Sequence, residues 1–271
     1  MITVKNLNYK YKTGDFGLKD INLSINDGEF VCIIGKNGSG KSTFSKILAG
    51  LTKFKNGEIE VNGISLKDKK QMLEIRKNIG IVFQNPENQI IFDKIYDDLK
   101  FGLQNLGFSS LEANANIDEA LKAVNMLDFK EKNSSELSLG QKQRIAIASS
   151  LAIKPKILIL DEPTTMLDPI SKNQIYNILQ ELKKTGITII YITNFIDETL
   201  LCDRTIIFED GKIKKDFEKK DLLENIDFLD SLEFPGIVSL LGLLHKSGID
   251  INLENLKTDE LAKKILELRK D

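Results

Sequence analysis

Eight residues, GKNGSGKS from Gly35 to Ser42, restrict this chain more than any other stretch. They fit G-x-x-x-x-G-K-[ST], with the apolar run FVCIIG leading in and helical spacing from about Lys41 to Ala49–Gly50 leading out. A Gly-rich loop between a strand and a helix lets backbone N–H groups wrap phosphates. Gly35, Lys36, Asn37, Gly38, Ser39, Gly40, Lys41, Ser42 and Thr43 are therefore expected to hold a nucleoside triphosphate. In such a loop the lysine, here Lys41, reaches the β- and γ-phosphates, and the Ser42 hydroxyl coordinates Mg2+.

The remaining pattern supplies a frame for this loop. The first 35 residues alternate apolar and polar positions (ITVKNLNYKYK, LKDINLSI, EFVCIIG) and read as short strands. Residues from about 85 to 137 are more polar and helically spaced, as in LEANANIDEALKAVNML, and read as an inserted helical subdomain. A helix over 141–153, the strand KILIL (156–160), a helix over about 171–184 and the strand ITIIYIT (187–193) follow. Strands alternating with helices predict an α/β fold, a parallel sheet covered on both faces. RTIIFEDGKIKKD is a strand pair turning at Asp210–Gly211. Residues 1–215 thus form a nucleotide-binding domain, and 216–271, helical in pattern, a separate small extension.

Two further stretches carry chemistry. In KILILDEP a buried strand delivers Asp161 to the edge where α/β sheets bind ligands, placing it to hold Mg2+. Glu162 follows, where it can orient and deprotonate an attacking water, unless the acidic pair only ends the strand. In ELSLGQKQR (136–144), Ser138 and Gln141 form a capping box at a helix start. That end is a cap, a phosphate site, or both, because its dipole and free N–H groups favour an anion. The 38 Lys+Arg against 40 Asp+Glu give no basic surface for nucleic acid. Cys32 and Cys202 lack metal-ligand neighbours and read as buried thiols. MITVKNLNYK has no apolar signal core, and IVSLLGLL (237–244) is short of the roughly 20 residues a spanning helix needs.

With these motifs in this order, the chain resembles an ATP-binding-cassette ATPase subunit. ELSLGQKQR stands where that family has its L-S-G-G-Q signature, with Ser138, Gly140 and Gln141 in place. FQNPENQ (83–89) resembles the Q-loop, with Gln84 as its glutamine. TTMLDP (164–169) resembles the D-loop through Asp168, and Tyr11 in NYKYK matches the aromatic that stacks on adenine. The resemblance implies ATP with Mg2+, and a paired arrangement in which each signature completes the site built on the other subunit's P-loop. It implies that Gln84 senses the metal and the water while linking to a membrane partner. The loop around Asn85 to Phe92, carrying Ile90, Ile91 and Phe92, is the candidate docking surface, each of the three being equally open to a place in the core of the helical subdomain.

The segment VFQNPENQIIFDKIYDDLKFGLQNLG and the tail LEFPGIVSLLGLLHKSGIDI, followed by a short final helix, are similar to the ATPase subunits of energy-coupling factor transporters. That likeness implies an ATP-hydrolysing subunit, peripheral on the cytoplasmic face of the cell membrane, powering uptake of a vitamin or transition-metal ion. Its partners would be a second cassette, an integral coupling subunit and a separate substrate-binding membrane subunit. Ile237, Leu240, Leu241 and Leu244 share one helix face and are expected either to join two cassettes or to pack on their own domain.

Two positions depart from the family pattern. Leu139 replaces a signature glycine, which is costly wherever the backbone needs φ > 0. Asn194, ending YITN, stands where the family has a switch histidine. Asn194 can still donate to a phosphate but carries no charge. These departures favour a heterodimer with a related cassette. They also leave open a regulatory cassette that binds ATP for assembly and turns it over slowly. The one histidine, His245, has the place of an ordinary capping or solvated residue.

Overall fold

The computed structural model describes residues 1–12, 16–226 and 236–249, with the single positions 229 and 253. Three apolar runs set its centre: β3 (Phe30–Ile34), β7 (Ile157–Asp161) and β8 (Thr188–Thr193) are buried at every residue. Strands covered on both faces have no reason to alternate, and these do not. With β6 (Ile79–Val82), β9 (Arg204–Glu209) and β10 (Lys212–Glu218) they form a six-stranded sheet, order β10-β9-β3-β8-β7-β6. All its pairs are parallel except the β9–β10 hairpin. That hairpin turns at Asp210–Gly211, whose φ values of 50° and 77° are those the tight Asp-Gly turn needs.

A second sheet is antiparallel, order β2-β1-β4-β5, built from β1 (Ile2–Lys10), β2 (Gly17–Ile25), β4 (Asn56–Val61) and β5 (Ile64–Ser65). Between the sheets runs α1 (Lys41–Leu48), whose Phe44, Ile47 and Leu48 join a core with Ile21, Ile33 and Phe208. The other face of the main sheet packs on α5 (Leu139–Leu151) and α6 (Pro169–Lys184). A short α2 (Met72–Asn78) precedes β6.

The inserted segment holds α3 (Ile95–Asn105) and α4 (Ser110–Ala123). Helix α4 opens on a capping box between Ser109 and Glu112. Of the two readings for this loop, Ile90 takes the core place, packing against the main cluster, whereas Ile91 and Phe92 are exposed. Asp98 holds those two in place by accepting from the N–H groups of Ile91 and Phe92, at 2.7 and 3.1 Å.

Helix α7 (Ile237–Lys246) follows the second of the two readings of the tail for most of its apolar face. Leu241 is fully buried with Val238 in this chain's own core, and Ile237 and Leu244 pack partly against it. Only Leu240, of the four named, is exposed, beside an exposed Leu243. The helix is seated at its start, where the Asp197 carboxylate accepts from Val238 N–H at 3.1 Å. His245 is exposed in its last turn. The short final helix expected beyond it lies outside the described residues.

Candidate nucleotide site

The loop from β3 to α1 closes tightly on its surroundings. Gly38 and Gly40 have φ of 79° and 112°, conformations that favour glycine. A Cβ on Gly40 would stand 2.7 Å from the Leu18 Cδ2. The Lys41 side chain folds back over the loop, donating to the carbonyls of Gly35 at 2.6 Å and Lys36 at 3.1 Å. Burial lowers the Lys41 ammonium below its ordinary value, while the Glu162 and Asp161 carboxylates act to raise it. The Ser39 Oγ is buried here without a hydrogen-bond partner.

At the end of β7, Asp161 is 6% exposed and meets α1 through two hydroxyls. Ser42 Oγ donates to Oδ1 at 2.9 Å, and Ser45 Oγ to Oδ2 at 3.1 Å. Burial pushes the Asp161 carboxyl above its ordinary value against the pull of these hydroxyls. Hard oxygen donors from a serine and a carboxylate fit Mg2+, which keeps few protein ligands. Consistently, no group of three or more acidic, His or Cys side chains poised for a metal occurs among the described residues.

Glu162 is the meeting point of three segments. Its φ of 51° is left-handed, uncommon for a residue with a Cβ. Gln84 Nε2 donates to its Oε2 at 3.1 Å, and Asn194 Nδ2 to its Oε1 at 2.8 Å. Asn194 Nδ2 also donates to Asn37 Oδ1 in the P-loop at 3.0 Å, while its own Oδ1 is buried without a partner. Gln84 is placed by the turn after β6, where Gln89 accepts from Phe83 N–H at 3.1 Å and donates to the Ala146 carbonyl at 3.2 Å.

Tyr11 lies beside the same loop, its hydroxyl 2.9 Å from Thr43 Oγ1. Its ring is partly exposed and stacks on Phe16 at 6.3 Å. Phe16, Ser45 and Thr165, which donates to Glu162 Oε2 at 3.4 Å, were not among the expected residues. Ser45 had a readable position, one turn beyond Ser42 on α1.

Ser138, Gly140, Gln141 and Asp168 sit together on another surface. Ser138 and Gln141 complete their capping box, with bonds of 2.9 and 3.3 Å. Asp168 caps α6, accepting from Ile170 and Ser171 N–H at 2.9 and 3.0 Å. A Cβ on Gly140 would come within 2.3 Å of Ser171 Oγ, so the two helix starts touch through this glycine. Leu139 is the first residue of α5 and is absent from the positive-φ positions, so its replacement of glycine strains no backbone.

Residues 18–165 match the family described as ABC transporter. The chain is similar to EcfA1, an energy-coupling factor transporter ATP-binding protein of Fusobacterium nucleatum, at 39% identity over 98% of this chain and 99% of that one. The protein of the same name from Oenococcus oeni is 45% identical over 79% of this chain and 77% of its own. Among solved structures, cbiO1 from Clostridium perfringens, part of the ABC transporter complex cbiONQ, superposes with a TM-score of 0.74 at 36% identity, covering 89% and 98%. A dimeric ATP-binding cassette, MJ0796, bound to ADP and Pi superposes with a TM-score of 0.72 at 33% identity, covering 80% and 98%.

Proposed function

The chain belongs to the ABC transporter family, and from that premise we propose that it is the ATP-binding subunit of an energy-coupling factor importer for a vitamin or transition-metal ion. It is an ATPase of the ABC transport type. The observation that carries the site assignment is the convergence on Glu162 of Gln84 and Asn194, within one chain wall that also holds Asp161 and Ser42.

Lys41 exchanges its loop carbonyls for phosphate oxygens of ATP, whose negative charge stabilises the ammonium that burial disfavours. Ser42 and Asp161 would hold Mg2+, which supplies charge neutralisation on the phosphates when bound. Glu162 orients the attacking water and takes its proton, with Gln84 and Asn194 fixing the carboxylate from either side. Tyr11, with Phe16 behind it, offers a ring to the adenine.

Ser138, Gly140, Gln141 and Asp168 serve the site of a facing cassette, a heterodimeric partner. The exposed Ile91 and Phe92 suit an integral coupling subunit, and a separate membrane subunit selects the substrate. No helix among the described residues is long and apolar enough to cross a membrane. Its membrane partners would hold the chain peripherally on the cytoplasmic face. Residues 216–271 then act as an extension that helps to hold the pair.

The test is ATP turnover and substrate uptake by the complex assembled with its membrane subunits. Lys41→Ala should remove turnover at this chain's site and at least halve the total; unchanged turnover would reject the assignment. The uncharged Asn194 favours one second reading, a cassette that binds ATP for assembly and hydrolyses it slowly. Single-turnover hydrolysis at this site separates the two.

A further inference from the structure

A second carboxylate lies beneath the site and has no role in the scheme above. Glu198 is 3% exposed, on the 3-10 segment Ile196–Leu201 between β8 and β9. No salt bridge reaches it among the described residues. Three hydroxyls surround it instead. Thr164 Oγ1 and Tyr176 OH both donate to its Oε1 at 2.6 Å, and Tyr191 OH lies 3.1 Å from Thr164 Oγ1. Its Oε2 is buried without a hydrogen-bond partner. A buried carboxylate with one empty oxygen is a poor choice for stability alone, since an apolar side chain would fill the space at less cost.

What Glu198 connects gives it a use. Thr164, 1% exposed, stands two residues after Glu162 in the turn closed by Leu167 N–H on the Thr164 carbonyl at 3.1 Å. Glu162 holds a left-handed backbone, a conformation that persists only where its surroundings fix it. On the other side, the segment carrying Glu198 begins two residues after Asn194. The 2.8 Å contact between Asn194 Nδ2 and Glu162 Oε1 therefore spans two loops, and the Glu198–Thr164 bond fastens those loops together underneath. Tyr191 on β8 and Tyr176 on α6 tie the same cluster to the sheet and to the helix that Asp168 caps.

We propose that Glu198 is a positioning residue for hydrolysis: through Thr164 it sets Glu162 and Asn194 against each other at working distance. This rests on the roles of Glu162 and Asn194 given under Proposed function. Small displacements of reacting groups by a distant change can cost on the order of a hundredfold in rate.

The test uses the assembled complex carrying Thr164→Val, Glu198→Ala, Glu198→Gln or the Thr164→Val/Glu198→Ala pair. Turnover is measured beside nucleotide affinity, with Lys41→Ala as control. Thr164→Val and Glu198→Ala should each lower kcat roughly ten- to a hundredfold while affinity changes by less than about threefold. The pair should cost no more than the worse single change, because both break one link. Glu198→Gln should recover most of the rate, since its amide oxygen still accepts both hydroxyls. Unchanged kcat in Thr164→Val, additive losses, or a Gln variant no better than Ala would each overturn the proposal. Thr164→Val decides the matter alone should Glu198→Ala fail to fold. If Lys41→Ala also leaves turnover intact, the failure belongs to the site assignment instead.

Discussion

Asp161→Asn should act with opposite signs on the free and the nucleotide-bound protein. In the free protein the Asp161 carboxylate accepts hydroxyls from Ser42 at 2.9 Å and Ser45 at 3.1 Å, yet burial still raises its pKa above the ordinary value. Burial therefore outweighs the pull of both hydroxyls and of the Lys46 and Lys41 ammonium groups. An asparagine keeps the Ser42 bond through its carbonyl oxygen. Ser45 can accept from the new amide while still donating to the Ser42 carbonyl, its present partner at 3.0 Å. No polar group is orphaned and the charge is gone. Set against this, Lys41 loses one of the carboxylates that favour its ammonium. The net gain should be about 1 kcal/mol, a rise in melting temperature of about 2 °C for a chain of this size. The sign with pH follows from the raised pKa. Such a group contributes stability fully below the unfolded carboxylate range and loses it as pH rises through the folded value. The advantage of Asn should thus be greatest near neutrality and fade toward about pH 4. With Mg2+ and ATP the order reverses. Ligand at a hundred times its Kd stabilises the wild type by about 2.7 kcal/mol, and the variant, short of a metal-binding oxygen charge, should gain little. Thermal melts with and without Mg-ATP at several pH values measure both effects. A free variant that melts below the wild type, or an advantage that grows toward acid, would refute the reasoning.

Glu162→Gln should keep ATP binding but hold the paired cassettes closed, since shape is retained and the base is lost; full steady-state turnover by this variant in the complex would remove Glu162 from the mechanism. Asn194→His should raise turnover at this site by up to about a hundredfold, the effect of regaining one preorganised charged donor. Turnover unchanged by Asn194→His, in a complex that Lys41→Ala silences, would mean that the asparagine is no lesion. Leu243→Asp, at an exposed position of α7, should weaken nucleotide-free association of the two cassettes while leaving ATP affinity unaltered. An unchanged dissociation constant for the pair would take α7 out of the interface.

Much of this fold was readable because its strongest signals are local. The apolar runs of β3, β7 and β8 and the Asp-Gly turn of the β9–β10 hairpin depend on neighbours in sequence, and all appear where the pattern puts them. Helices α5 and α6 begin two residues earlier than their spacing suggests, at Leu139 and Pro169, because the caps Ser138 and Asp168 recruit the intervening residues. β4 alternates as well, with Ile59 and Val61 buried between exposed Glu58 and Glu60, whereas the short β5 and β6 show no clear period, since their pairing is decided across the chain. The tail stayed open between two readings for the same reason. A helical face can be read from spacing, but not which face its own domain covers, and Ile226 and Asp197 decide that for α7. Within the site, Asp161, Glu162 and the P-loop stand out as motifs. Ser45 and Glu198 do not, because each acts through a contact with a distant segment, and Thr165 bonds Glu162 only because the turn after β7 brings their side chains together.

The two departures from the family pattern have unequal physical weight. Leu139 takes the first position of α5 with a helical backbone, where its N–H is one of the orphan donors that a helix start presents anyway. The change thus leaves the backbone donor in place and adds only side-chain bulk. Asn194 sits inside the site itself, against Glu162 and Asn37, and its single amide nitrogen serves both contacts. A donor shared between two oxygens has little left for a phosphate, and without charge its pull is weaker still. The weaker site of a cassette pair should accordingly be the one built on this chain's own P-loop. In the proposed pair, the site its signature completes would keep its backbone donors and take its switch residue from the partner. A homodimer would carry the Asn194 deficit at both sites, whereas a distinct partner confines it to one, and this is the physical case for the heterodimer.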